Sequence, residues 1–190
     1  DRGDGIDIID VSNLASPSLT GTYDTSGSAY SVTLSADGNT AFVADYSSGL
    51  QIIDVSNPAS PSLTATYDTS GAAYGVTLSA DGSTAFVADY SDGLDIIDVS
   101  NLASPSLTGT YDTSGNAEDV VLSADGNTAF VADRAHGLDI IDVSNKASPT
   151  LTGNLDTSNN AYKLKLSDDG NTAFVADGGS GLQIIDISES

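Results

Sequence analysis

The sequence has no cysteine, no methionine and no tryptophan among its 190 residues. The lack of cysteine excludes disulfides, thiolate metal sites and cysteine nucleophiles. No apolar run approaches the roughly 20 residues of a membrane helix, so we expect no membrane insertion. The sequence begins at Asp1 and not at a methionine, which favours a processed, exported chain or a segment of something longer.

Basic residues are scarce, with 5 Lys and Arg against 27 Asp and Glu and a formal charge of −22. Such a charge repels phosphate backbones and anionic headgroups, so nucleic acid is not expected as a partner. Nearly all of the acid is aspartate, a residue that is common in turns because its carboxylate bonds nearby backbone amides. With 39% hydrophobic residues, a chain of this length can bury an ordinary core.

One segment, Gly-(Ile/Leu)-x-Ile-Ile-Asp, recurs every 44 residues without insertion, opening at Gly5, Gly49, Gly93, Gly137 and Gly181. We therefore divide a single domain, 1–190, into repeats 5–48, 49–92, 93–136 and 137–180 and a partial repeat 181–190. Periods of about 40 to 45 residues that contain only short strand-like runs are typical of propeller blades.

Each period contains four short β-branched or alternating runs bounded by turn residues, and no helical period. In the second copy the predicted strands are Leu50–Val55, Leu63–Asp68, Tyr74–Ser79 and Thr84–Asp89. The pattern predicts an all-β fold, a β-propeller of about four four-stranded blades. Apolar residues that recur at one phase should form the core between blades, namely Phe42, Phe86, Phe130 and Phe174.

The stretches "GLQIIDVSNPASPSL" and "VTLSADGSTAFVAD" resemble the LVIVD-repeat surface proteins of bacteria and archaea, and more loosely the YVTN-type propeller repeats. The resemblance covers essentially the whole chain. It implies a propeller whose "VTLSADG" strand lies nearest the axis, and an exported or cell-surface setting. It implies no reaction, because no catalytic motif belongs to the repeat.

The predicted strands number 17, one more than four blades need, because two precede and three follow three complete sets of four. Pairing of the strand at 19–24 with the final blade would be the usual propeller clasp, and it leaves a surplus strand. A free strand edge is a template for another chain, which predicts end-to-end self-association. The alternatives are that a terminal segment frays or caps an edge, or that the chain is part of a larger propeller.

Two sets of aspartates should lie on one rim of such a propeller. Because Ca²⁺ takes six to eight oxygen ligands, this rim is a candidate calcium site; the competing interpretation is that each carboxylate bonds a local turn amide. The metal candidates are Asp45, Asp89, Asp133 and Asp177, and beside them lie Asp24, Asp68, Asp112 and Asp156. No other cofactor is expected.

The third copy departs from the others at Glu118, Asp119, Arg134 and His136, the only histidine. An acid, a base and a histidine on one rim could transfer protons; alternatively, Arg134 pairs with a nearby acid on the surface. Residues 2–4 spell RGD, the tripeptide of integrin-binding adhesins, although ordinary drift of the repeat also explains it.

These observations favour a non-enzymatic, exported structural protein that assembles head-to-tail into a filament or array at the cell surface. The first alternative is an extracellular binding or adhesion module whose acidic rim binds Ca²⁺, a cationic partner or a carbohydrate. The second is an enzyme that uses the distinctive residues of the third copy.

Overall fold

The computed structural model of the chain describes Gly3 and residues 5–188. It contains 17 strands and a short 3-10 turn at Gly178–Ser180. The strands are β1 Ile6–Asp10, β2 Ser18–Tyr23, β3 Ser31–Leu34, β4 Thr40–Ala44, β5 Leu50–Asp54, β6 Ser62–Tyr67, β7 Gly75–Leu78, β8 Thr84–Ala88, β9 Leu94–Asp98, β10 Ser106–Tyr111, β11 Asp119–Leu122, β12 Thr128–Ala132, β13 Leu138–Asp142, β14 Thr150–Leu155, β15 Lys163–Leu166, β16 Thr172–Ala176 and β17 Leu182–Asp186. None of the described residues forms a helix with the length and apolar character needed to traverse a bilayer.

The predicted number of strands is confirmed, and in the second copy each strand lies within one or two residues of its predicted position. The strands end early because the flanking polar residues bond turns and not the ladder. In the turn after β7, for example, the Ser79 hydroxyl donates to Asp81 over 2.6 Å. Asp81 also accepts the amide of Ser83, at 3.0 Å, which closes the hairpin to β8.

Consecutive strands pair antiparallel into five sheets, which we call blades A to E. Blade A is β1–β2, blade B is β3–β6, blade C is β7–β10, blade D is β11–β14 and blade E is β15–β17. The inner strands β3, β7, β11 and β15 lie next to one another in sequence order. This is the arrangement of a propeller, in which short meanders stack side by side.

Each blade has two apolar faces because alternate side chains of a strand point to opposite sides of the sheet. In blade B, Phe42 and Ile52 pack towards blade C, in one cluster with Val87 and Ile97. On the opposite side of blade B, Val43 and its neighbours pack with residues of blade A. We call the side that faces the next blade the forward face and the other the backward face.

Three of the four phenylalanines predicted to lie between blades do so. Phe42, Phe86 and Phe130 are buried, whereas Phe174 is half-buried. Phe174 differs because it lies on the forward face of blade E, which no further blade of the described chain covers.

Within the described residues the ring does not close through a clasp. The strand that a clasp would supply to the last blade, now β2, pairs with β1, and blade E ends at β17 without a fourth strand. Blade A correspondingly lacks the two inner strands of a full blade. The described structure is therefore an open row of blades with a free face at each end.

Candidate functional site

The four aspartates proposed as metal ligands are completely buried, and each accepts hydrogen bonds from the protein. Asp89 accepts the hydroxyl of Thr69 and the amide of Gly71, both at 2.7 Å. Asp45 bonds Thr25 at 2.6 Å and Gly27 at 2.8 Å in the same way, and Asp133 bonds Thr113 at 2.9 Å and Gly115 at 2.8 Å. We call this arrangement of aspartate, threonine and glycine the latch.

Each latch ties two neighbouring blades together. Thr69 follows the outer strand of blade B, whereas Asp89 follows the second strand of blade C. The competing interpretation from the sequence was that each aspartate bonds an amide of its own turn. The structure differs, because the partners of Asp89 lie 18 and 20 residues away in the chain. Hydrogen bonds to a charged group contribute about 1.5–3 kcal/mol each, so the latches add directional bonds to the apolar contact between blades.

The structure does not bring these four carboxylates together around an ion. Within residues 5–188 we find no group of three or more His, Cys, Asp or Glu side chains placed to hold a metal. The second aspartate set, Asp24, Asp68, Asp112 and Asp156, is exposed beside the latches. Calcium binding by this rim stays a prediction.

The fourth latch is incomplete. Thr157 donates to Asp177 over 2.6 Å, but the other carboxylate oxygen, Oδ2, is buried without a partner among the described residues. Asn159 takes the place of the glycine here. A Cβ on Gly71 would lie 2.4 Å from the carbonyl oxygen of Asp89, so a residue with a side chain cannot approach closely enough to donate its amide.

Three of the distinctive residues of the third copy take part in two separate ion pairs. Arg134 lies 3.4 Å from Glu118, which confirms the expectation that Arg134 pairs with a nearby acid. Asp119 instead lies 3.4 Å from Lys163 of blade E. His136 shares a shallow pocket of about 380 Å³ with Arg134, which neither acid lines. The four residues therefore do not converge on one reacting position. Arg2 and Asp4 of the RGD tripeptide lie outside the described residues.

Sequence reasoning missed a row of aromatic rings beside the inner strands. The ring centroids of Tyr30 and Tyr74 lie 4.4 Å apart, and those of Tyr74 and Tyr90 lie 4.9 Å apart and stack. The guanidinium of Arg134 lies 5.5 Å from the Tyr90 centroid and 5.7 Å from that of Tyr162. Burial, with neighbouring tyrosines, raises the pKa of Tyr74 to about 12. We call this row, with Tyr46, the tyrosine belt.

Two repeat positions supply the belt. One directly precedes each inner strand, and the other lies two residues after the end of the second strand, just after the latch aspartate. Residues of the latter kind adopt a left-handed backbone, with φ of 51° at Tyr46, 46° at Tyr90 and 40° at Arg134. Tyr46 is held there by reciprocal backbone bonds of 3.0 Å with Ala73. The signal in the sequence was a tyrosine recurring at 30, 74 and 162 and again at 46 and 90.

The belt offers aromatic faces, phenol hydroxyls and one guanidinium on a strongly acidic protein. Such a surface can contact apolar or cationic groups. Backbone strain in residues other than glycine is a feature that clusters at ligand sites, and here it recurs at three equivalent positions.

Several buried aspartates have raised pKa values. Burial raises the pKa of Asp95 to about 7, and the neighbouring carboxylates Asp89 and Asp92 act in the same direction. Burial also raises the pKa of Asp133 to about 6, although its bond from Thr113 opposes this shift. In contrast, hydrogen bonds from Ser79 and Ser83 lower the pKa of the exposed turn residue Asp81 to about 2.

A family model of the LVIVD repeat matches residues 1–25, 26–69, 70–113, 114–157 and 161–190. No curated protein matches the sequence significantly.

Solved β-propellers resemble the chain in structure. A provisionally named 6-phosphogluconolactonase of Bacteroides uniformis aligns with a TM-score of 0.81 at 14% identity, over 100% of this chain and 62% of that one. Hydrazine synthase of Kuenenia stuttgartiensis aligns with a TM-score of 0.71 at 21% identity, over 84% and 46%. The propeller domain of Cps50 (Swd1) of Myceliophteria thermophila aligns with a TM-score of 0.71 at 12% identity, over 88% and 60%. At these identities the likeness is one of fold alone, and this chain spans 46% to 62% of the length of these proteins.

The latch predicts opposite effects of two substitutions. Asp89→Ala leaves the Thr69 hydroxyl and the Gly71 amide without their acceptor, and we expect it to lower the free energy of unfolding by about 3 kcal/mol. Asn159→Gly allows the missing amide to reach Asp177, and we expect a gain of about 1 kcal/mol. Urea unfolding followed by circular dichroism measures both. Equal effects of Asp89→Ala and of Asp68→Ala, an exposed neighbour, would contradict the latch.

The raised pKa of Asp95 predicts how stability depends on pH. The folded protein holds this proton more tightly than the unfolded chain, whose aspartate pKa is about 3.9. The folded state is therefore favoured, relative to the unfolded chain, while Asp95 keeps its proton. This contribution to the free energy of unfolding is fully present below about pH 4 and is lost as the pH rises through about 7. Asp95→Asn should raise the melting temperature by roughly 3 °C at about pH 8 and leave it nearly unchanged at about pH 4. Scanning calorimetry at both pH values checks this, and an equal shift at both would refute it.

Proposed function

Because the chain belongs to the LVIVD repeat family, we propose that it is a non-enzymatic, exported structural protein whose copies associate head-to-tail at the cell surface. The observation that carries the proposal is the exposure of the same apolar side chains that blades bury against each other inside the chain.

The forward face of blade E is apolar and uncovered. Ile184 is 66% exposed, whereas Ile96, its equivalent in blade C, is completely buried. Leu182 is likewise 62% exposed, whereas Leu94 is buried. The difference comes from the missing neighbour alone, since the residue types are the same.

The backward face at the other end is apolar too. In blade A, Ile9 is 53% exposed and Val11 is 59% exposed, whereas their equivalents Ile97 and Val99 are buried. In the interior, forward residues such as Ile52 pack on Ile97 and Val99. A second copy that places its backward face on blade E would therefore repeat a contact that the fold already uses.

Strand edges offer a second mode of head-to-tail association, an alternative to the stacking of the two faces. Blade E lacks the outer strand that blades B, C and D possess. Strand β2 has the sequence SLTGTY, identical to the outer strand β10 of blade C. A neighbouring copy that pairs its β2 with β17 would complete blade E, and β1 would then be the surplus strand.

The expected strength is moderate. Burying an exposed Ile, Leu or Val side chain contributes about 1.5–3 kcal/mol, and association costs at least about 4 kcal/mol in translational and rotational freedom. The charge of −22 on each copy opposes association at low salt and is screened at high salt. Self-association should therefore depend on concentration and increase with ionic strength.

Two features support the absence of an enzymatic role. The copies are close in sequence, whereas a catalytic site usually needs one blade to differ strongly. The charged residues that do differ, Glu118 and Asp119, are engaged by Arg134 and Lys163. Exported, cell-surface localisation is supported by the family resemblance and by the acidic composition.

A second candidate function is an extracellular binding or adhesion module, and the tyrosine belt favours it. The belt presents half-exposed rings from successive blades, and such rings suit an apolar or cationic partner. On this interpretation the protein works as single copies, and the acidic rim attracts the partner or holds Ca²⁺.

The association experiment uses two charge substitutions at opposite ends. Size-exclusion chromatography with light scattering should give masses above 19.1 kDa that rise with protein concentration and with salt. Ile184→Asp and Ile9→Asp should each abolish this, because each places a charge in the apolar contact. Leu63→Asp, on an outer strand of blade B and 46% exposed, is the matched control and should leave association intact.

Mixing the two end variants distinguishes head-to-tail assembly from other modes. Each variant retains one intact end, so the mixture should form dimers and nothing larger. A monomer under all conditions would refute the assembly proposal. Saturable stabilisation of that monomer by Ca²⁺ would then favour the binding module.

A further inference from the structure

A small polar pocket lies on blade C, away from the terminal faces. Its volume is about 340 Å³, and it is lined by Ser70, Ser91, Asp92, Asp95, Thr110 and Asp112. Every side chain in the lining is a hydroxyl or a carboxylate. The pocket therefore presents hydrogen-bond acceptors and negative charge, with no cation among its lining residues.

Asp95 is the feature that points to a ligand. The residue is only 4% exposed, yet within the described part of the chain its carboxylate has no hydrogen-bond or ion-pair partner. A buried carboxylate without a partner is unfavourable and rare. The residue lines the pocket, so a group that enters the pocket can reach it.

The same repeat position has a partner in the neighbouring blades. In blade B it is Gln51, whose amide nitrogen donates to Ser26 over 3.2 Å and whose carbonyl accepts from Thr66 over 3.3 Å. In blade D it is Asp139, which accepts the side-chain amide of Asn154 at 2.6 Å. Blade C retains the equivalents of Ser26 and Thr66 but places a carboxylate between them.

We propose that this pocket binds a protonated primary amine, such as a lysine side chain or a free alkylamine. The ammonium group has three N–H donors, and Asp95 with the flanking hydroxyls of Ser70 and Thr110 would supply three acceptors. The proposal is independent of the assembly proposed above.

An ammonium ion fits the pocket better than a metal ion does. Ca²⁺ needs six to eight oxygen ligands, and within residues 5–188 no three acidic or histidine side chains are placed to hold one. An ammonium ion also relieves the charge crowding around Asp95, where burial and the nearby Asp89 and Asp92 raise its pKa.

The test is a titration of the ¹⁵N-labelled protein with n-butylammonium, followed by NMR at mildly alkaline pH. We expect saturable shifts of backbone amides around Ser91, Asp95 and Thr110. Asp95→Gln places the residue of blade B at this position, so it should fold, and we expect it to weaken binding at least tenfold. Asp139→Gln, at the equivalent position of blade D, should bind as the wild type does.

Two further probes separate the proposal from its competitors. Tetramethylammonium carries charge but no N–H donor, and equal shifts with it would show a diffuse field and overturn the proposal. Tighter binding of Ca²⁺ than of n-butylammonium would also overturn it, in favour of a metal site. If Asp95→Gln loses the folded amide spectrum, Ser70→Ala takes its place, because it removes one of the three proposed acceptors, and unchanged affinity in that variant would again count against the proposal.

A parallel titration with a lysine-containing peptide identifies the source of the amine. Saturation by the peptide at lower concentration than by n-butylammonium supports a protein lysine as the occupant. Saturation by n-butylammonium alone supports a free amine.

Discussion

The whole structure depends on the need of each blade to cover two apolar faces. The second and third strands of a blade carry β-branched and aromatic side chains on both sides, so a single blade would expose one of them whichever way it packed. Stacking between two neighbours covers both faces of each interior blade, so Ile96 and Ile97, on opposite faces of blade C, are both completely buried. It leaves one forward face and one backward face open, and these two faces are the basis of the proposed assembly.

The polar residues follow from the same stacking. The apolar contact has little direction of its own, whereas the latch aspartates, which bond across the boundary between blades, set how one blade lies on the next. Within a blade, Gly93 has φ of 82° and a Cβ there would lie 2.3 Å from the carbonyl oxygen of Tyr111, so a glycine lets the turn approach the outer strand of its own blade. Departures from the repeat, at Asn159, Arg134 and Asp95, are where local chemistry differs from copy to copy.

Much of the fold could be predicted because the same pattern of strands and turns recurs in every copy of the repeat. The 44-residue period, the Asp-Gly turns and the alternating runs locate the strands of every copy to within about two residues. The partial first and last blades also followed from counting strands. Whether the two ends pair in a clasp could not be predicted, because pairing between the ends depends on where the row of blades brings them, which no local pattern encodes.

The candidate sites were harder to predict from the sequence, because they too depend on contacts between segments that are distant in the chain. Asp89 could be recognised as a strand-end aspartate, but its partners lie 18 and 20 residues earlier, in the segment that connects blade B to blade C. The tyrosine belt arises because Tyr46 pairs with Ala73 across two blades. The isolation of Asp95 is visible only beside Gln51 and Asp139, whose partners are known from the structure.

The most direct test of the account is hydrogen–deuterium exchange at low and high protein concentration. We expect strong protection of β8, β9 and β12 at all concentrations, and protection of β1 and β17 that rises with concentration as the terminal faces become covered. Exchange in β1 and β17 that does not change with concentration, or that is as slow as in β8 when the protein is dilute, would contradict the claim that these faces are open and associate.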